Sequence, residues 1–401
     1  MEVLSLVMKR SPAQSLVLAV LLVAVGAPAP AAAPVAGEPY EINVILSLTG
    51  GAAFLGKAQQ QAFGLIEQIA NRNGGVKGRP VKFAIVDDQS SPQLAVQLAN
   101  AIIAKKVPIF IGSDLTAPCS AIGPLVEKNG PVEYCTSPGI NPAPGGYIFS
   151  ASAATRADGI ALVRYFRERG WTRIGLITST DASGQAFETS FDRALALPEN
   201  KDVTAVVREH FATADLSISG QAAHIKAVNP QGVIGWTTGT PFGTVLRGLH
   251  DVGYEGPVAG GNGNMVFAQL AQYASFLPKE LYFPGRRAVA EGTPPGPVHD
   301  AQTAYFNAFA SIGVRPDFAN NIGWDPAMIV VTTLQQLGPD ATAQQCRDFI
   351  LGLHSYTGIN GIYDFRDGEQ RGIGINSIVI DRWDPGQTRF VAMSRAGGFL
   401  K

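Results

Sequence analysis

From Glu41 onward, short runs rich in Val and Ile alternate with longer stretches whose apolar residues recur every three or four positions. This alternation constrains the fold more than any other feature. Parallel strands need a long crossover, and a helix packed on the sheet is the usual one. "EINVILSL" reads as a strand, and after the loop "TGGAAFLG" residues 57–72 place Ala58, Ala62, Leu65, Ile66, Ile69 and Ala70 on one helical face. "VKFAIV" is a second strand, followed by a helix that starts at Ser91-Pro92, where serine caps free amides and proline suits the first helical position. "VPIFIG" and "GPVEYCTS" supply a third and a fourth strand. The rhythm restarts after "YIFSASAATRADG": helices over 159–169, 185–195, 216–228 and 242–252 alternate with "RIGLITS", "VTAVVREHF", "GVIGWTT" and "PVAGG". Near "ELYFPG" it changes. Helices are expected over 299–312 and 326–337, needing a place in the first half, and a β-rich tail would complete the second.

The chain has 401 residues, of which 46% are hydrophobic and 16% charged, enough to bury two cores. A formal charge of -1 offers no clustered basic surface for nucleic acid. Lys9 and Arg10, the apolar segment "SLVLAVLLVAVGA" and the small residues of "APAPAAAPVAG" read as a secretory signal over residues 1–36, cleaved between about Ala31 and Ala36. The uninterrupted apolar stretch, 16–27, is shorter than the roughly 18 residues a membrane span needs. No cysteine precedes Cys119, so an N-terminal lipid-modified cysteine is not expected. In an oxidising compartment, Cys119 and Cys135 can form a bridge or remain two buried thiols; Cys346 is the third cysteine.

Catalytic patterns are missing from the sequence. It contains no G-x-S-x-G, H-E-x-x-H, C-x-x-C or P-loop, and His210, His224, His250, His299 and His354 are scattered. "GGNGN" lacks the dinucleotide spacing. Asp87 and Asp88 end the second strand ahead of a capped helix, where binding to loop amides explains them better than chemistry. No enzyme, cofactor or metal site is expected. Two α/β halves still make a site: ligands gather beyond the carboxyl ends of parallel strands, and two such edges facing each other form a cleft whose helix N-termini suit a carboxylate.

The stretch from "SLTGGAAFLG" to "VPIFIGS" resembles the type I periplasmic solute-binding proteins of branched-chain amino acid transport. It carries a G-x-x-A-x-x-G loop at 50–56, N-x-x-G-G-V-x-G at 71–78, the Asp87-Asp88 strand end and Ser91-Pro92. The likeness is strong to about residue 140 and looser afterwards. The resemblance implies an α/β fold of two Rossmann-like lobes with parallel-sheet cores, joined by three hinge crossings. The first lobe would take 37–153 and about 285–357, the second 154–284 and about 358–401. It further implies a monomeric periplasmic receptor that closes on one small molecule and delivers it to an inner-membrane ABC permease, with the aspartate pair as scaffold.

Carried over position by position, the resemblance implies Phe54 as a cover for the ligand, Thr116 as the carboxylate-binding hydroxyl, and Ser137 and Gly139 after the fourth strand. In the second lobe it implies Ser183, then Thr238, Gly239 and Thr240, then Asn262. Family members that bind amino acids hold the ammonium with an acidic residue and tyrosines. Here those positions read Asn262, Ser183 and Gly239 or Thr240. A buried ammonium without its partner costs roughly 3 kcal/mol or more. The expected solute is therefore a small carboxylate or amide without a conventional α-ammonium. It could be aromatic, with Phe54, Trp236, Phe242 and Trp324 as flat walls or as ordinary core. Asp114 or Asp181 could restore ammonium binding by pointing inward, or could cap helices. A branched-chain amino acid receptor and a ligand-sensing regulator on the same fold are the alternatives.

Overall fold

A computed structural model describes residues 35–290 and 293–401. The signal sequence expected over 1–36 falls almost wholly outside them.

In the first lobe the elements are β1 (Tyr40–Leu46), α1 (Ala53–Arg72), β2 (Val81–Asp87), α2 (Pro92–Ala104), β3 (Ile109–Ile111), α3 (Thr116–Val126), β4 (Val132–Cys135) and β5 (Ile148–Ser150). The second lobe follows with α4 (Thr155–Glu168), β6 (Arg173–Ser179), α5 (Ala182–Leu195), β7 (Thr204–Phe211), α6 (Ser219–Val228), β8 (Gly232–Trp236), α7 (Pro241–Asp251), β9 (Val258–Gly260), α8 (Phe267–Gln272) and β10 (Leu281–Arg286). After α9 (Arg287–Ala290) come α10 (Pro297–Ala310), α11 (Phe318–Leu337), α12 (Ala343–Gly352), β11 (Tyr356–Thr357), β12 (Ile362–Tyr363), β13 (Ile378–Asp384) and β14 (Arg389–Ala392).

Two sheets result. The first has the order β2-β1-β3-β4-β5 and is parallel throughout. The second has the order β14-β13-β10-β9-β8-β6-β7, parallel except where β13 pairs with β10 and β14. The strand runs read from the sequence are these strands, because near-continuous apolar runs suit strands covered on both faces. α10 and α11 pack on the first sheet through Tyr305, Phe309, Trp324, Val330 and Leu334, and β13 and β14 complete the second, as the sequence implied.

Besides β5, β11 and β12, which were not read as strands, three details differ from the sequence reading. Residues 358–373, expected in the second lobe, stay with the first, where Ile359, Tyr363, Phe365 and Ile373 join its core. The buried Asp325 carboxylate on α11 holds them, accepting from the Ile359 N–H at 2.9 Å, the Asn360 N–H at 3.1 Å and the Tyr363 hydroxyl at 2.8 Å. Secondly, α11 begins at Phe318 rather than at Pro326. Asp317 and Asn320 form a reciprocal capping box, and Pro326 lies inside the helix, where it lacks the N–H that would have bonded the Ile322 carbonyl. Thirdly, α12 was not read from the sequence, although Thr342 and Gln345 form a second capping box at its start.

The chain passes between the lobes after β5, after β10 and before β13. Two buried arginines bind these passages together. Arg286 donates through Nε to Ser152 Oγ at 2.9 Å and pairs with the buried Asp158 at 3.3 Å. Arg371 donates to Ser150 Oγ at 2.7 Å and to the Ile140 carbonyl. Cys119 and Cys135 are disulfide-bonded, which decides between the two readings, and Cys346 is a buried thiol.

Candidate functional site

The loops at the carboxyl ends of β3, β4, β6, β8 and β9 converge between the lobes. They enclose a cleft lined by Leu55, Asp114, Thr116, Ser137, Gly139 and Ile322 on one side, and by Ser183, Trp236, Thr238 and Asn262 on the other. The lobes are drawn together at its rim. The Thr240 N–H donates to the Gly51 carbonyl at 3.2 Å, and the Phe318 N–H to the Met265 carbonyl at 3.3 Å. Asp317, besides capping α11, accepts from the Phe267 N–H at 2.9 Å. The volume left for the centres of water molecules is about 30 Å³, so the closed cleft fits tightly around small groups. A roomier groove of about 220 Å³ beside Leu249, Tyr254 and Phe276 lies on the second lobe alone, where lobe closure does not act on it.

The first-lobe wall begins with the aspartate pair. Asp87 accepts from the N–H groups of Leu48, Thr49 and Gln89 and from the Thr49 hydroxyl. Desolvation is the largest single influence and opposes ionisation, but these donors together hold the carboxyl below its usual range. Asp88 is fully buried and accepts from Ser47 Oγ at 2.8 Å, the Ser90 N–H at 2.9 Å and Ser113 Oγ at 2.6 Å. It thereby ties the loops after β1, β2 and β3 together. The pair is scaffold, as its place at a strand end suggested.

On that scaffold stands Asp114. One of its oxygens, Oδ1, accepts from the Ser47 N–H at 3.2 Å, while Oδ2 is buried and has no hydrogen-bond partner. Burial first, and the neighbouring Asp88 carboxylate second, push its carboxyl up to about 7. Beside it α3 starts without a side-chain cap, so its first N–H groups remain for an acceptor. The Thr116 and Ser137 hydroxyls lie 2.9 Å apart at the same place. A Cβ on Gly139 would fall 2.1 Å from Thr116 Oγ1, so any side chain there has to displace that hydroxyl.

Across the cleft, Ser183 Oγ and Thr238 Oγ1 are 3.2 Å apart. Asn262 donates one N–H of its amide to Asp158 at 3.0 Å, which orients the group and leaves its carbonyl oxygen and second N–H for a solute. Trp236 is a rigid wall, stacked on Phe187 with ring centroids 3.9 Å apart.

The structure thus brings Asp114, Thr116, Ser137, Gly139, Ser183, Thr238 and Asn262 to the cleft, and moves other expected residues away from it. Phe54 packs against the second lobe's core, and Leu55, the next residue on α1, takes the cleft position. Gly239 and Thr240 form the interlobe seam: Gly239 has φ of +83°, and a Cβ on it would lie 2.3 Å from the Gly51 carbonyl oxygen. Asp181 caps α5 by accepting from the Gly184 N–H at 3.1 Å. Phe242 and Trp324 are core residues, leaving Trp236 as the aromatic wall. Sequence reasoning missed Leu55, Thr155 and Ile322. Periodicity could flag Leu55 as apolar, but nothing local indicates that Ile322, inside α11, reaches the cleft.

Known proteins share this fold. A family model described as "Periplasmic binding protein" matches residues 39–387. The chain is 23% identical over 227 residues to the Leu/Ile/Val-binding protein homolog 3 of Brucella melitensis, a match covering 55% of this chain and 61% of that protein. The matched region therefore spans less than two thirds of that relative. An extracellular ligand-binding receptor from Rhodopseudomonas palustris HaA2 superposes with a TM-score of 0.77 at 18% identity, covering 89% of this chain and 100% of that one. An ABC-transporter solute-binding protein from R. palustris, solved in complex with benzoate, gives 0.75 at 16% identity over 90% of this chain and 97% of that one. With a family match over most of its length and two lobes closing on one polar cleft, this chain belongs to the periplasmic binding protein family and has its type I fold.

Proposed function

We propose that this protein is the periplasmic receptor of an ABC importer, which captures a small carboxylate-bearing or amide solute between its lobes and hands it unchanged to an inner-membrane permease. The observation that supports this best is the composition of the cleft. Both lobes contribute strand-end loops, and the first lobe adds the uncapped start of α3 with the Thr116 and Ser137 hydroxyls, a suitable cradle for a carboxylate or carbonyl oxygen. A solute touching both walls binds the closed form better than the open one, and that difference in affinity drives closure. Delivery then follows from a permease that distinguishes the closed form. One flat wall, Trp236, admits an aromatic solute, and the aliphatic Leu55, Leu115 and Ile322 admit a branched one.

A branched-chain amino acid is the second reading, favoured by Asp114, whose Oδ2 lacks a donor in the cleft. Thermal-shift screening of the purified protein against amino acids, aromatic acids and amides, with X-ray scattering of the responders, tests the proposal. Stabilisation together with a compact profile supports capture. Turnover of a bound solute would replace the receptor reading with an enzymatic one.

A further inference from the structure

Among the described residues, Asp114 is the only ionisable side chain lining the cleft. It is 3% exposed, and its Oδ2 is buried without a donor. The charge facing it is of the same sign: Asp88, behind it, already has its oxygens engaged by Ser47, Ser90 and Ser113, and no lysine or arginine lines the cleft. An unpaired buried acceptor is unfavourable, and a solute that supplies a donor removes that cost. The opposite wall offers a further acceptor in the Asn262 carbonyl oxygen, whose amide is oriented by one N–H bonded to Asp158.

We propose that Asp114 determines specificity in this cleft by accepting a hydrogen bond from an N–H group of the solute. The preferred solutes then carry an amine or amide N–H next to the carboxylate or carbonyl that faces α3. The inference rests on the receptor reading above. Because Asp114, Thr116, Ser137 and α3 all belong to the first lobe, one lobe engages both ends of the solute before closure, and Ser183, Thr238 and Asn262 join afterwards. The raised carboxyl of Asp114, at about 7, means that a donor, and a cationic one most of all, draws out its ionised form.

Calorimetric titration at about pH 8 with matched probes tests this: L-leucine against the keto acid of the same skeleton, and benzamide against benzoate. The expected result is that a donor-bearing probe binds about tenfold or more tightly than its partner, and that Asp114→Asn brings the two close together. The leucine and benzamide arms separate amine from amide. Equal affinity within both pairs, or a preference unchanged in Asp114→Asn, overturns the assignment. Should that variant not fold, the same titrations on the unaltered protein at about pH 5.5 decide: a shrinking preference supports Asp114, and a constant one overturns it. If no probe binds, the assignment stands or falls with the solute released on denaturing the purified protein. One lacking N–H overturns Asp114 alone, and release of none counts against the receptor reading as well.

Discussion

Gly139 sets the width of the cleft on the first-lobe side, since any side chain there displaces the Thr116 hydroxyl from its place 2.9 Å from Ser137 Oγ. Gly139→Ala is expected to fold but to weaken solute binding by about tenfold, equivalent to ~1.4 kcal/mol, in titrations with whichever solute the screen identifies. Asp114 makes a second, ligand-independent prediction. Its folded carboxyl is held at about 7, above the usual value, so the folded state keeps a proton that the unfolded chain releases, and stability falls as pH rises from about 4 to about 7. Burial raises Asp158 to about 7 against the pull of Arg286, and Asp317 to about 6, in the same direction. Asp114→Asn should raise Tm by about 2–4 °C at pH 8 and leave it unchanged near pH 4, as calorimetry would show. An equal effect at both pH values would contradict the raised carboxyl. Which aspartate does this was not readable locally. Asp114 and Asp181 each stand two positions before an expected contact, yet Asp181 turns to its own helix while Asp114 reaches the Ser47 N–H.

At the scale of elements, strands and most helices were legible because their signals are local: apolar runs for strands, three-to-four spacing for helices, caps at the ends. β6 runs from Arg173 to Ser179, as "RIGLITS" implied. The start of α11 was misplaced because proline at a first helical turn is the commoner arrangement, whereas here the capping box at Asp317 begins the helix two turns earlier. The missed hold of α11 on residues 359–363 depends on a single carboxylate. Asp325→Ala leaves the buried Ile359 N–H and Tyr363 hydroxyl without their acceptor and should destabilise the protein by about 2–4 kcal/mol, read as a lower urea midpoint. A loss below ~0.5 kcal/mol would mean that the segment is held by its apolar contacts instead.

For the whole molecule, the passages between lobes are pinned by buried guanidinium groups rather than left as loose linkers. Arg286→Met strands the Asp158 carboxylate and should cost about 3–5 kcal/mol in denaturant titrations, with part of that recovered when Asp158→Asn is added. Additive losses in the double variant would argue against a coupled pair. Two α/β halves, the order of most of their strands along the chain and the strand-end loops around the cleft could be read from the residue pattern alone. Periodicity and caps act between residues a few positions apart. Which side chains on those loops line the cleft, why Leu55 takes the place expected for Phe54, and that one Asp114 oxygen is left without a donor were settled by the folded chain. Those outcomes depend on contacts between residues distant in the chain. A rotation of one position on α1, or one bond from Ser47, exchanges a lining residue for one outside the cleft.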